Sequence, residues 1–510
     1  MVKFRGVTEA NFRLGASARP VENNERDRAA ASNVLERIAK IACWGLIFLP
    51  VGLGFLYVRL YGVNVVYGDQ WRIAQLFGKL YSGKLDFADL WQPLNGHRIL
   101  LPRVVMLLLG HFTKWNNVAE MYATQALLLI VLVILLLAFR RDVGSGPKLL
   151  LFVPVAFLVF SFRQAEIMLM GLLMQFALVL VFAVLSFHFL HLLRERRVGK
   201  FAFPAALISA TLASLSSAQG LLVWPAGLLQ LLVGPAEKRV KLYLGGIWGF
   251  LGTAEWVFYF VGYQAPERGG EAIAGELYYP RFFLTLMGSS LSWSPGPALA
   301  IGLLLLGLVA AALLLVSRDG KLAEHSFFGA LMLFAFLVLL AITVGRAERG
   351  IEQALVSRYA TYSILGVVGL YGMLAKLYLE RGSRVATVAF GALLACVLLS
   401  LPIAYTTGIQ AGYATEVIRE KAARVLATYE SQPDIALRSL YANPEVVKKR
   451  AHLLERLGYN VFSESFHRKA RNHRTSEKTP SRPRLENSRC REPAGNTGRV
   501  RCRRCGSRGP

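Results

Sequence analysis

Long apolar runs separated by short polar breaks dominate the chain. They lie at 38–60, 118–139, 148–162, 167–193, 201–217, 219–234, 242–262, 298–316, 326–344, 359–378 and 385–406. A helix of about 20 apolar residues crosses a hydrocarbon layer about 30 Å thick, so the pattern predicts an all-α polytopic membrane protein with about eleven transmembrane helices. Between the first two runs the period changes. Residues 70–80 alternate as an amphipathic helix does. The apolar run 99–112 is short and is interrupted by Pro102 and Arg103, which suits a helix lying at the membrane surface rather than across it.

The polar breaks alternate in charge. The breaks at 140–148, 194–200, 237–241, 317–321 and 379–384 hold Arg140, Arg141, Lys148, Arg194, Arg196, Arg197, Lys200, Lys238, Arg239, Lys241, Arg318, Lys321, Arg381 and Arg384. Basic loops favour the cytoplasmic side, which predicts a cytoplasmic N-terminus and places 69–115 outside. The alternation holds only if 99–112 does not span. The expected organisation is a basic arm at 1–37, a membrane domain at 38–406, and an outer helical appendage at 407–464 with helices at 413–429 and 444–457. A tail at 465–510 follows, whose Arg, Ser, Pro and Gly content predicts disorder.

Composition supports this class: 54% of the 510 residues are hydrophobic and 18% charged. The net charge of +26 does not indicate a nucleic-acid partner. From 466 to 510 there are 14 Lys and Arg against 3 Glu, and much of the remaining excess lies in the N-terminal arm and the basic loops. Cys43 and Cys396 lie in apolar runs. Cys502 and Cys505 form a Cys-x-x-Cys without the second ligand pair that a zinc site needs.

The candidate chemistry gathers in the outer breaks, because charged groups near membrane depth are costly and tend to serve function. Asp69 opens the first of them, in Gly68-Asp69-Gln70-Trp71. Its carboxylate fits either the N-cap of a helix over 70–80 or a catalytic or metal-binding group. His97 and Arg98 precede the second surface helix, and with Arg103 they read either as interfacial anchors or as a phosphate clamp. A second concentration runs from Gly345 to Tyr359, with Arg346, Glu348, Arg349, Glu352 and Arg358. If helical, it stacks Glu348 on Glu352. Arg163 and Glu166 lie in a break expected on the same side, and Gln219 sits in a tight one, as a turn residue or a polar ligand.

Absences narrow the field. The chain has no Gly-x-x-x-x-Gly-Lys-Ser/Thr and no His-Glu-x-x-His; Gly52 and Gly54 lie inside an apolar run, where helix packing explains them. No soluble segment is large enough for a nucleotide-sugar domain, and no ladder of charges of the kind proton pumps use runs through the spans.

A first span, an outer loop with an early Asp, two surface helices and then many spans resemble the GT-C superfamily, the membrane glycosyltransferases that use polyprenyl-phosphate-linked sugars. Gly68-Asp69-Gln70-Trp71, Asn95-Gly96-His97-Arg98 with Pro102-Arg103, and Gly345-Arg346 through Ser357-Arg358-Tyr359 also resemble a group of uncharacterised bacterial membrane proteins near it. The resemblance covers about 38–406. It implies transfer of a sugar from a polyprenyl-phosphate donor to an outer glycan, lipid or protein acceptor, with inversion, at a bacterial inner membrane. Asp69 matches the family's first-loop acid as base, with Glu166 as a helper. His97, Arg98, Arg103, Arg346, Arg349, Arg358, Tyr359 and Gln219 would hold substrate and phosphate. Many members pair two acids where this chain has Asp69-Gln70. A divalent metal such as Mg or Mn, held by Asp69, therefore stays open. A non-enzymatic transporter or flippase of a polyprenyl-linked glycan would use the same arginines without Asp69. A polysaccharide polymerase or ligase would need a larger outer loop than 264–293.

Overall fold

The architecture, from a computed structural model, is described for residues 19–193, 199–263, 275 and 277–463. The expectations for the start of the basic arm, for Arg194, Arg196 and Arg197, for most of the 264–276 loop and for the tail with its cysteines lie outside the described residues.

The chain is helical almost throughout. Helix α1 (Arg19–Tyr61) carries the first span. The short α2 (Trp71–Tyr81) and α3 (Phe87–Trp91) follow, then strands β1 (Pro93–Leu94) and β2 (His97–Arg98), and α4 (Leu100–Thr113). Helix α5 (Asn117–Asp142) crosses back. A broken segment then combines a 3-10 turn at Gly146–Phe152, α6 (Val153–Val159), a second turn at Phe162–Gln164 and α7 (Ala165–Met168). Pro147 and Pro154 lie in it, and proline removes a ladder donor, so one regular helix does not form. The rest of the membrane domain is α8 (Met174–Leu192), α9 (Gly199–Ser216), α10 (Val223–Val233), α11 (Lys238–Phe260), α12 (Tyr278–Gly288), α13 (Pro295–Arg318), α14 (Ser326–Arg346), α15 (Ser357–Arg381) and α16 (Arg384–Ala427). Two short helices, α17 (Asp434–Leu437) and α18 (Pro444–Leu457), complete the appendage.

Among the described residues, eight helices are long and apolar enough to cross a membrane: Glu36–Tyr61, Asn117–Asp142, Gly146–Met168, Gly171–Leu192, Pro295–Arg318, Leu322–Arg349, Ser357–Glu380 and Arg384–Ala427. The other three expected spans are also helical. Phe201–Ser216 and Ala218–Val233 are apolar but shorter, and α11 carries Lys238, Arg239, Lys241 and Glu255. Leu100–Thr113 has the shortness expected of a surface helix.

Three boundaries differ from expectation. Helix α16 runs unbroken for 44 residues, about 66 Å, so the last span and the first appendage helix are one element. Its Gly408 and Gly412 are contact points. A Cβ at Gly408 would lie 2.2 Å from Phe162, and one at Gly412 would lie 2.7 Å from Tyr57 and Tyr61. Within the expected loop before Trp293 lies α12, pressed against α13 through Gly288 and Gly302, where a Cβ would come 1.9 Å from a facing carbonyl in each case. Small residues permit such close approach, and between membrane helices packing replaces the hydrophobic drive. Finally, Glu348 and Glu352 do not stack. Helix α14 ends at Arg346, and Gly350, at φ +100°, separates two 3-10 turns.

The appendage clamps the first loop. Gly68 N donates to the Leu440 carbonyl (3.0 Å), Arg450 donates to Trp71 O (2.6 Å) and Gln75 Oε1 (2.9 Å), and Asn460 Nδ2 reaches Asn64 Oδ1 (2.9 Å) and Trp115 O (3.1 Å).

Candidate functional site

The site is built from the turn after α1. Gly68 takes the left-handed conformation (φ +57°) and Asp69 follows in a 3-10 turn. The carboxylate does not cap α2, whose N-terminus has no side-chain cap. Its Oδ2 instead accepts a 2.6 Å hydrogen bond from Asn95 Nδ2. Asn95 and Gly96 form the two-residue tip of the β1–β2 hairpin, both at positive φ (51° and 80°), with Leu94 opposite His97. Asn-Gly is the preferred sequence for such a tip, because its twist matches that of the flanking strands.

Gln70, where a second acid would stand, is fully buried. Its Oε1 accepts from Tyr67 N (3.2 Å) and Asn117 Nδ2 (3.2 Å), and Asn117 also donates to Val65 O (2.5 Å). Gln70 therefore holds the turn rather than facing a substrate. Among the described residues Asp69 belongs to no group of three His, Cys, Asp or Glu side chains at metal-ligand spacing. The one group that meets that spacing is Glu430, His452 and Glu455, all exposed, in the appendage.

Three of the arginines turn out to be architectural. Arg98 is buried. Its Nε donates to Tyr259 O (2.8 Å), Nη1 to Trp91 O (2.9 Å) and Nη2 to Val261 O (2.7 Å), and its guanidinium lies 4.8 Å from the Trp91 ring. It thus neutralises the carbonyl end of α11, where a helix dipole favours a cation. Arg103 does the same for α3, donating to Leu90 O (2.7 Å) and Gln92 O (2.5 Å). Burial and the neighbouring Arg72 charge lower its pKa to about 10. Arg163 reaches the end of α12 at Ser289 O (2.7 Å) and Ser292 O (3.1 Å), and also Leu355 O (2.6 Å), with Trp293 over its guanidinium at 4.3 Å. Arg98 has Nε, Nη1 and Nη2 committed to carbonyls, which leaves it unsuited to snorkelling or to clamping a phosphate; buried Arg103 is tied down through Nη1 and keeps an Nε without a partner.

Two lines of contact lead from the Asp69 turn. Along the hairpin, Gly96 O accepts from Tyr263 (3.0 Å), and the His97 ring, half-buried with its Nδ1 turned inward, lies close to Arg346. Burial first, and the Arg346 charge second, push its pKa down to about 4, so it is neutral near pH 7; its Nδ1 has no hydrogen-bond partner. Arg346 and Arg349 make no hydrogen bond or ion pair among the described residues, and both are at least partly open to solvent. The second line starts at Tyr67, whose ring carries the Arg419 guanidinium at 4.2 Å. Arg419, on the extension of α16, is within electrostatic reach of Glu166. Glu166 is ion-paired with Arg358 (2.6 Å), and Glu166 N donates to Ser357 Oγ (3.1 Å), stitching α7 to the start of α15. Tyr359 is buried beneath Arg358, at 5.0 Å from its ring.

Asp69, His97, Glu166, Arg346, Arg349, Arg358 and Tyr359 thus belong to one side of the molecule. Gln219 stays local, accepting from Ser217 Oγ (2.6 Å). Arg419 and Tyr67 have no role in the sequence reading, and Asn95 enters it only as part of the stretch Asn95-Gly96-His97-Arg98. The Asn-Gly tip was a usable signal for Asn95, but nothing local marks Arg419, on a helix more than 300 residues away.

No family model matches the chain. Over 213 residues, 38% of the chain, it is 27% identical to an uncharacterised protein of Archaeoglobus fulgidus; the matched part is 54% of that protein, so the chain spans about half the length of the curated relative it matches. Among solved structures, ArnT from Cupriavidus metallidurans bound to undecaprenyl phosphate is similar at a TM-score of 0.40 and 15% identity, over 86% of this chain and 81% of that one.

Proposed function

We propose that the chain is a membrane glycosyltransferase that moves a sugar from a polyprenyl-phosphate donor to a hydroxyl acceptor on the side of the first loop. The observation that carries this reading is an unpaired carboxylate aimed by an amide, Asp69 on Asn95, with two uncommitted arginines, Arg346 and Arg349, on the same side.

In this reading Asp69 accepts the proton of the acceptor hydroxyl as the hydroxyl oxygen bonds to the anomeric carbon. The bond from that carbon to the lipid phosphate oxygen breaks from the opposite face, inverting the centre. The leaving polyprenyl phosphate takes the electron pair, and Arg346 stabilises the developing charge, with Arg358, ion-paired to Glu166, as a second cation. Glu166 is held by Arg358 and faces Arg419, so it serves as a positioning group rather than a second base. The acceptor sugar, lipid or protein is not specified by these groups.

The test is transfer of radiolabelled sugar from polyprenyl-phosphate donors by purified full-length protein, wild type against Asp69→Asn. Transfer that depends on the donor and drops by three orders of magnitude or so in the variant supports the base, the scale on which a general base acts. Full activity in a properly inserted Asp69→Asn overturns it. Absence of transfer from every donor, with lipid-phosphate binding that requires Arg346, would instead favour a transporter.

A further inference from the structure

The appendage carries a cluster that the proposed chemistry does not use. Just past the end of α16, a 3-10 turn at Tyr429–Ser431 brings Glu430 to one face of α18. His452 and Glu455 stand together on that face, because residues three apart on a helix are neighbours. One carboxylate oxygen from each glutamate and one imidazole nitrogen lie within 4.8 Å of one another, at the exposed surface. Ligand atoms about 2.0–2.2 Å from one zinc ion stand ~3–4 Å apart, so small side-chain rotations close the set.

Two observations set this cluster apart from an ordinary polar face. The first is charge. Among the described residues neither Glu430 nor Glu455 has an ion pair, while bases of the same segment pair elsewhere: Arg424 with Glu420 (3.7 Å), and Lys448 with Asp434 (2.9 Å) and Glu445 (3.1 Å). Two carboxylates held this close repel each other, and a divalent cation between them turns repulsion into attraction. The second is support. The Tyr429 ring is buried, and its hydroxyl lies 2.9 Å from Glu455 Oε2 and 3.3 Å from Glu430 Oε1, while each carboxylate keeps a second oxygen. Hydrogen bonds from behind a ligand orient it for a metal. The donor set also chooses among metals. Calcium and magnesium prefer oxygen alone, whereas one imidazole with two carboxylates suits zinc, with water completing the coordination.

We propose that Glu430, His452 and Glu455 bind a zinc ion that fastens the turn after α16 to α18. Helix α18 grips the first loop through Arg450, which donates to Trp71 O (2.6 Å) and Gln75 Oε1 (2.9 Å), so the ion stiffens the support of that loop. The site stands independently of the glycosyltransferase reading.

The test uses full-length protein stripped of metal with a chelator, its thiols alkylated so that cysteines cannot compete for zinc. Zinc retained after equilibrium dialysis is counted by elemental mass spectrometry, and hydrogen exchange is followed with and without the ion. The expected result is one zinc per chain, with slower exchange across Tyr429–Ser431 and α18. His452→Ala and Glu455→Gln should lose the ion, and Lys449→Ala, exposed on the same helix, should keep it. Glu430→Gln, from outside α18, gives the same loss if an α18 variant folds poorly. Tyr429→Phe keeps the ring and should weaken binding roughly 10–100-fold, the scale on which groups behind the ligands act. No zinc on the alkylated wild type, or equal zinc on wild type and every ligand variant, would overturn the site. Bound zinc that leaves exchange in α18 unchanged would overturn the fastening. Calcium or magnesium bound as tightly as zinc would overturn the imidazole ligand.

Discussion

His97 offers a prediction whose size comes directly from its surroundings. An imidazole in an unfolded chain titrates near 6.5; in the folded protein burial and Arg346 hold it at about 4. The folded state therefore binds fewer protons than the unfolded state between those values. Stability from this source is fully present above pH 6.5 and is lost as pH falls towards 4. The gap corresponds to about 3 kcal/mol, which solvent at the partly exposed ring trims to ~2 kcal/mol. His97→Gln keeps a polar side chain but cannot titrate. Thermal unfolding of the two proteins in detergent, from pH 7.5 to 4.5, should give parallel curves above 6.5. Below it, wild type should lose stability progressively relative to His97→Gln. A difference independent of pH would refute a ring held neutral by burial and, second to it, by Arg346. The same linkage bears on the proposed substrate. A lipid phosphate arriving at Arg346 supplies the missing negative charge and raises the His97 pKa, so binding to wild type should tighten from pH 7 to pH 5, and binding to His97→Gln should not.

Two further predictions concern the scaffold. Arg163→Met leaves three carbonyls, at Ser289, Ser292 and Leu355, without their donor; with hydrogen bonds to a charged group at about 1.5 kcal/mol each, the loss should be ~4–5 kcal/mol in thermal unfolding, and an unchanged midpoint would show that Arg163 does not hold these segments. Gly302→Leu places a Cβ 1.9 Å from the Leu284 carbonyl and should force α12 from α13, lowering the yield of folded protein. Gly307→Leu on the same helix, with nothing within 4 Å of its Cβ, should be silent, and equal effects of the two would argue against the glycine contact.

Much of this protein was legible before any coordinates. Apolar runs had to become helices because, in a hydrocarbon layer, backbone groups find partners only within the segment. The same logic marked 99–112 as too short to cross and 444–457 as a separate amphipathic helix. The role of Gly408 and Gly412 is not legible in sequence, since it lies in the aromatic rings they face across the fold. The arginines were the least legible of all. In sequence Arg98, Arg163, Arg346 and Arg358 look alike, each beside an apolar run on the outer side.

What separates them is where distant carbonyls and carboxylates fall. Arg98 meets the end of α11, 161 residues on, and Arg163 meets Leu355, 192 residues on, while Arg346 meets no acid among the described residues. The sequence by itself determined the class of fold, the surface helices and the polar stretches in which chemistry could lie, because those follow from hydrophobic period and length. Tertiary structure alone decided which charged groups are spent on helix ends, that Gln70 is buried, that Asp69 is aimed by Asn95, and that Arg419 belongs with Glu166. Such pairings depend on which helix ends meet, and contacts between segments hundreds of residues apart leave no local periodic trace.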